Sequence, residues 1–337
     1  MRWPCGIVGL GLGFVVACSG EGTSSPQGSE DAGAPPDPSW GGIQNPVLGF
    51  DDIAIKDAFA VRRGETWHLG YSHITEEPFR FRIGFSTTND WRSFENAPPL
   101  DQTEVGGLAS PDVVTLADGS YVMTYNSHTR DVGESANKLY YRTSTDLRAW
   151  SEAKRIHVEG ADAPRDRLID AALAFTDTAV FLFFKREQTA NVAVSASRSL
   201  DGPWTLLGPV EPAEVENIQI LAIDGVFHLL ATSLLPHRPV LHRLEGDPAA
   251  PDSWRRWSRV RELEIPEQAW NTGESIAYER ANSGYLIDER ARDGFFYLLF
   301  AGTTELASFE GRGHVRLGLA RSRDLVAWEV PPARAAP

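Results

Sequence analysis

Leu139-Tyr-Tyr-Arg-Thr-Ser-Thr-Asp-Leu-Arg-Ala-Trp150 reads as a short apolar strand, then a polar turn, then a closing aromatic. The pattern recurs along the chain. It appears as Ile83-Gly-Phe-Ser-Thr-Thr-Asn-Asp-Trp-Arg-Ser-Phe94 and as Val192-Ala-Val-Ser-Ala-Ser-Arg-Ser-Leu-Asp-Gly-Pro-Trp204. A degenerate copy ends at Trp257, and the last is Leu317-Gly-Leu-Ala-Arg-Ser-Arg-Asp-Leu-Val-Ala-Trp328. The closing aromatics are 56, 54, 53 and 71 residues apart, which makes five internal repeats.

A second signal keeps the same beat. Apolar strands are expected at Trp67–Ser72, Tyr121–Asn126, Val180–Lys185, Phe227–Thr232 and Phe296–Ala301. Most follow a glycine turn: Arg63-Gly64, Asp118-Gly119, Asp224-Gly225 or Asp293-Gly294. Glycine there supplies the positive φ of a tight hairpin. A repeat of this length holds about four strands of ordinary length. That is one propeller blade. The chain is therefore predicted to be all-β, a five-bladed β-propeller of four-stranded antiparallel blades, spanning residues 41–331. The longer last interval implies an insertion around Trp270 to Arg292. No segment carries a sustained helical stripe.

The leader is a different kind of sequence. Arg2, an apolar run from Ile7 to Ala17, and small residues before Cys18 resemble a bacterial lipoprotein signal. That resemblance implies cleavage after residue 17, lipidation of Cys18, and an exported protein held on the cell envelope. Residues 18–40 read as a tether. From Ser19 to Trp40, 16 of 22 residues are Gly, Ser, Thr, Pro or Ala. Such a stretch buries too little apolar surface to offset its ordering entropy.

Composition removes several functions. The 337 residues carry 32 Lys and Arg against 46 Asp and Glu, a net charge of -14. A polyanion is repelled by that balance, so nucleic acid is not an expected partner. The membrane is expected to be met through the lipid anchor alone. The only cysteines, Cys5 and Cys18, lie in the leader, so the domain has no disulfide, thiolate zinc site or cysteine nucleophile. Phosphate-binding, Ser-His-Asp and zinc-protease motifs are missing. No cofactor is required by this reading, and a structural calcium ion has no support in the sequence. A monomer is expected.

In a propeller the first strand of each blade lines the axis. Counting back from the glycine-turn strands, Asp57, Asp112, Asp170 and Glu216 lie 10, 9, 10 and 11 residues before Trp67, Tyr121, Val180 and Phe227. Each enters an apolar run, where an unpaired carboxylate is costly. Four carboxylates are thus expected at one level of the axis, with no fifth-blade equivalent. Gathered like charges raise one another's pKa, which suits a pair made of a protonated acid and an ionised base.

These segments resemble the five-bladed propeller glycosidases of glycoside hydrolase family 43 and its relatives. The likeness covers about residues 45–330. It rests on Asp57 with Trp67-His-Leu-Gly-Tyr-Ser72, on Leu168-Ile-Asp170-Ala-Ala-Leu, and on Val215-Glu216 before Gln219-Ile-Leu-Ala-Ile-Asp-Gly225. The turn segments Ser322-Arg-Asp-Leu-Val-Ala-Trp328 and Ser199-Leu-Asp-Gly-Pro-Trp204 are also similar to that group, and mark its fold more than its activity. The resemblance implies an inverting hydrolase acting on a terminal or side-chain sugar. Asp57 would be the general base, Asp170 the carboxyl that tunes and orients the acid, and Glu216 the general acid. It departs from the family pattern in three places, one being the absence of the Gly-Pro-Gly-His segment that often supplies a central metal-ligating histidine, of which Gly311-Arg-Gly-His314 is a partial echo. Ala58 follows the first-blade Asp where Pro is usual, and Asn217-Ile218 follows Glu216.

Further substrate contacts are expected from Asp112, from Arg167 in Arg165-Asp-Arg167, and from His314 in Gly311-Arg-Gly-His314. Arg167 reads equally well as one half of a surface ion pair, and His314 as a turn residue. Sucrose-type propeller hydrolases lack a counterpart here, because their Asn-Asp-Pro-Asn and Arg-Asp-Pro motifs are missing. Ser144-Thr-Asp-Leu-Arg-Ala-Trp150 also fits sialidase turns, but no arginine triad accompanies it. A second class remains open: a carbohydrate-binding propeller lipoprotein without chemistry.

Overall fold

The structure, a computed structural model, describes residues 40–102, 106–129, 137–163, 165–211, 214–234, 237–272, 274–275, 278–279, 281–303 and 315–334. Five antiparallel sheets follow one another along the chain. Blade 1 holds β1 (Ile53–Arg63), β2 (Thr66–Glu76), β3 (Phe79–Thr88) and β4 (Glu95–Leu100). Blade 2 holds β5 (Leu108–Thr115), β6 (Tyr121–Ser127), β7 (Leu139–Ser144) and β8 (Lys154–Arg155). In blade 3, β9 (Val158–Glu159) runs parallel to the outer strand of β10 (Leu168–Phe175), β11 (Val180–Arg186), β12 (Asn191–Ser197) and β13 (Trp204–Pro209). Blade 4 holds β14 (Val215–Ile223), β15 (Val226–Leu234), β16 (His237–Leu244) and β17 (Trp257–Glu262). A two-stranded ribbon of β18 (Glu274–Ser275) and β19 (Tyr278–Glu279) comes before blade 5. Blade 5 holds β20 (Asn282–Asp288), β21 (Phe296–Gly302), β22 (Arg316–Ser322) and β23 (Trp328–Glu329). This is the predicted five-bladed propeller, and the five strands expected after the glycine turns are β2, β6, β11, β15 and β21.

Burial explains the strand patterns. Second strands lie between neighbours on both faces, so every residue of β6 is buried. The outermost strand of blade 1, β4, is almost wholly exposed and correspondingly polar and proline-bearing. Apolar clusters fill the seams between blades, for example Phe181, Phe183, Trp254 and Trp257 between blades 3 and 4. Close stacking of strands also fixes Gly84: a Cβ there would stand 2.2 Å from the Tyr71 ring.

The turn–aromatic repeat now has a physical cause. In blade 2 the Ser144 hydroxyl accepts the Leu147 N–H at 2.9 Å, and Asp146 accepts those of Arg148 and Ala149 at 2.8 and 2.9 Å. Thr88 and Asp90 do the same in blade 1, and Asp324 in blade 5. Each pins a left-handed residue, Trp91, Leu147 or Leu325, ahead of the fourth strand. The backbone donors hold Asp90 down to about 2. The motif is a turn staple and carries no chemistry.

The ring is closed by the N-terminal segment of the domain. Val47 and Leu48 donate to the Leu317 carbonyl on β22, and Leu317 donates back to Leu48. Asn45, fully buried, accepts from Leu319 N–H and donates to Leu319 carbonyl oxygen, both at 2.9 Å. The segment that leads into β1 is thereby hydrogen-bonded to blade 5, and Ile55 of β1 donates to the Val315 carbonyl at 3.2 Å.

Candidate active site

Each inner strand is broken by a β-bulge at the same level. The register slips between Lys56 and Phe59, Ala109 and Asp112, Ile169 and Ala172, Glu216 and Gln219, and Asn282 and Tyr285. The first bulged residue is left-handed in all five blades: Asp57 at φ 50°, Ser110 at 51°, Asp170 at 54°, Asn217 at 50° and Ser283 at 49°. Such a conformation costs about 1–2 kcal/mol for an L-residue, least for Asp and Asn. Five in one ring mean that the fold enforces them. The bulge turns these side chains toward the axis, where they border a cavity of about 30 Å³. That is room for about one or two waters, and too little for a sugar.

The ring corrects the expected level of four carboxylates. Two of its five members are acids, two are serines and one is an asparagine. Ser283 supplies the fifth-blade member that sequence counting did not find. Glu216 sits one residue before the ring. Asp112 sits two residues past Ser110, deeper along the axis, where burial pushes its carboxyl up to about 7. Its place is below the ring, away from the end where the inner strands begin. Counting ten residues back from Phe227 does reach Asn217, but a search for carboxylates stops at Glu216; in blade 2 a longer hairpin puts Ser110 eleven residues before Tyr121.

Asp57 is 8% exposed and saturated with donors. Ser72 and Ser283 hydroxyls donate to it at 2.8 and 2.7 Å, Asn217 Nδ2 at 3.0 Å, and the Ser110 hydroxyl lies at 3.4 Å. The Lys56 ammonium is 3.9 Å away. Asp170 is 5% exposed and accepts the Asn217 N–H at 3.2 Å. Burial first, then the charges of Glu216 and Asp57, push Asp170 up to about 6, against Lys185 and a Ser110 hydrogen bond. Asn217 therefore ties two acids together, one through its amide side chain and one through its backbone.

Glu216 is ion-paired with Lys185 of blade 3. Burial pushes the Glu216 carboxyl upward, but the charge and hydrogen bond of Lys185, with Lys56 and His237, outweigh it and leave its pKa below the ordinary value. Lys185 is the functional residue that the sequence reading missed. Its counterparts on the second strands are Ser72, Asn126 and Thr232, by register with Lys56, Ala109 and Glu216. Those three cap the backbone of the next blade's ring residue: Ser72 takes Ser110 N–H at 2.8 Å, Asn126 takes Asp170 N–H at 3.3 Å, and Thr232 takes Ser283 N–H at 3.0 Å. Lys185 alone among these four pairs with a carboxylate of the next blade; Ser72 also donates to a carboxylate, Asp57, but in its own blade. The available signal was a lysine ending the apolar run Val180-Phe-Leu-Phe-Phe-Lys185.

Of the expected site residues, the structure brings Asp57, Asp170 and Glu216 together. Arg167 takes its ion-pair alternative: it binds Glu187, which also accepts Asn137 Nδ2 at 3.0 Å, and so joins blades 2 and 3. His314 and Cys18 lie outside the described residues. Among the described residues no group of three His, Cys, Asp or Glu is arranged to hold a metal ion.

No protein-family model matches the chain, and no curated protein matches its sequence. Solved structures do match its fold. The α-L-arabinofuranosidase of Podospora anserina, solved with cellotriose, superposes with a TM-score of 0.61 at 15% identity, over 86% of this chain and 96% of that one. The catalytic domain of the Coprinopsis cinerea α-L-arabinofuranosidase of glycoside hydrolase family 62 gives 0.58 at 18%, over 82% and 94%. A thermostable family-43 glycoside hydrolase gives 0.58 at 12%, over 88% and 98%. The chain has the five-bladed propeller fold of the family 43 and family 62 glycoside hydrolases.

Proposed function

We propose that the chain is a glycoside hydrolase that removes a terminal or side-chain sugar from a glycan by inversion. The observation that carries this reading is the Asn217 bridge between Asp57 and Asp170, with Glu216 as its neighbour in sequence. Three carboxyls then share one electrostatic field, and a field of that kind separates acid from base. The leaving oxygen displaces the Lys185 ammonium that holds the Glu216 pKa down; Glu216 then takes a proton from solvent and delivers it to that oxygen as the glycosidic bond breaks. Asp57 deprotonates a water that displaces one of its hydroxyl donors. Asp170 holds Asn217 and sets the field on Glu216. The sugar rests above the ring, because the cavity below is too small. The fold neighbours include two α-L-arabinofuranosidases, which makes a pentose side chain the first substrate class to test. The leader sequence supports export and anchoring through a lipid on Cys18, and the domain acts as a monomer.

A second reading has its own observation. Asp57 has its acceptor sites filled, and Glu216 is neutralised by Lys185. A site so satisfied binds carbohydrate without hydrolysing it. Release of phenol from aryl glycosides of arabinofuranose, xylose and galactose separates the two: turnover supports the hydrolase, and binding without turnover supports the second reading.

A further inference from the structure

Most buried polar atoms around the ring are partnered, as buried polar atoms generally are. Of the nine unpartnered buried side-chain atoms among the described residues, four on His237, Asn217 and Asn282 share one sector, blades 4 and 5. Neither ring nitrogen of His237 has a hydrogen-bond partner, although the residue is only 3% exposed. Asn217 Oδ1 is buried without a partner, and so is Nδ2 of the fully buried Asn282. The amide orientations follow from their other halves. Asn217 must turn Nδ2 to Asp57, and Asn282 must turn Oδ1 to the Ser283 N–H at 2.6 Å. The free atoms are therefore an acceptor on Asn217, a donor on Asn282, and one of each on a neutral imidazole.

Thr232 pairs with Glu216, the neighbour of Asn217, and caps Ser283, the neighbour of Asn282, so the two asparagines lie on either side of the seam between blades 4 and 5. His237 begins the adjacent strand, and its ring feels the charges of Glu216, Lys56 and Lys185. Asn282 also occupies in blade 5 the position that Glu216 holds in blade 4 and Lys56 in blade 1, just before the bulge. In blades 2 and 3 that position is apolar, Ala109 and Ile169. The tier before the ring is polar across blades 4, 5 and 1 and apolar across 2 and 3.

Each buried unpaired polar group costs about 1–3 kcal/mol. Four in one sector are retained where a ligand supplies their partners. A pair of adjacent alcohol groups donates and accepts at each oxygen, which matches this set. We propose that His237, Asn282 and the free Oδ1 of Asn217 form a hydroxyl-reading subsite for a neutral sugar. The inference rests on the reading that the site takes a sugar, and it selects sugars whose neighbouring hydroxyls face blades 4 and 5.

The test uses protein labelled with ¹⁵N in its histidine rings, titrated with L-arabinose, D-xylose and D-galactose. The His237 signals are those lost in His237→Phe. At least one sugar is expected to displace them. His237→Phe and Asn282→Ala are each expected to weaken that sugar about ten-fold in protein that still melts in one cooperative transition. Asn282→Ala alone decides affinity if the phenylalanine variant does not fold. If no sugar moves the His237 signals, or if the folded variants bind as the wild type does, the subsite is overturned even where an aryl glycoside is hydrolysed. If His237 responds but no aryl glycoside turns over, the subsite stands and the hydrolase reading falls.

Discussion

The Lys185 ammonium is seated on the Glu216 carboxylate across the seam between blades 3 and 4. In three other seams the corresponding residue caps the backbone of the next blade, and Ser72 also donates to Asp57 in its own blade. Lys185 thus exchanges a structural role for an electrostatic one, at the residue proposed to supply the proton.

Lys185→Met tests that exchange. With the ammonium present, Glu216 loses its proton at lower pH than an ordinary glutamate. Without it, burial acts unopposed by its largest counterweight and the carboxyl keeps its proton to higher pH. The basic limb of the kcat/KM profile on an aryl glycoside is expected to move to higher pH. An unmoved limb contradicts Glu216 as the acid.

Asp112 gives a prediction for stability. Its carboxyl rises from 3.8 to about 7 on folding, through burial. The folded state then holds a proton that the unfolded state releases between those values, so stability falls as pH rises from about 4 to 7. The cost above that range is on the order of 4 kcal/mol. Asp112→Asn removes the charge and is expected to raise the melting temperature at pH 8 far more than at pH 4. A difference independent of pH contradicts a buried, proton-holding Asp112.

Asn217 separates bridging from backbone strain. Its φ of 50° is open to glycine and resisted by alanine. Asn217→Gly is expected to keep the fold within about 1 kcal/mol while losing activity, because the Asp57 link is gone. Asn217→Ala is expected to lose the same activity and a further 1 kcal/mol or so of stability. Equal activity in wild type and glycine variant contradicts the bridge as a working part of the site.

The contrast between what could and could not be read from the sequence has a physical basis. Ser144, Asp146 and Trp150 recur at fixed spacing because the staple is local, made of side chains bonding amides two or three residues on. Local geometry leaves a sequence signature, and the blades followed from it. The ring is non-local. Asp57 is held by Ser72, Asn217 and Ser283 from three blades, and no spacing along the chain encodes their meeting. A partial signal was present: each inner strand has a polar residue at the bulge, four of the five followed by a small residue or proline, as in Asp57-Ala58, Ser110-Pro111, Asp170-Ala171 and Ser283-Gly284. Reading it as a left-handed bulge residue would have found Ser110 in place of Asp112.

The proposed anchor has a direct check. Cys18→Ser is expected to move the protein from the membrane fraction to a soluble exported form. A wild-type protein that is already soluble, with a mature terminus elsewhere, contradicts lipidation.

The central claim is tested most directly by turnover of aryl α-L-arabinofuranosides and β-D-xylosides with good and poor leaving groups, in the wild type, Asp57→Asn and Glu216→Gln. The account predicts that Asp57→Asn loses about 10²–10⁴ of the rate for every leaving group, since water still needs its base. Glu216→Gln is predicted to lose that much for poor leaving groups and little for an activated phenolate, which departs without a proton. A double variant with wild-type turnover contradicts the hydrolytic assignment.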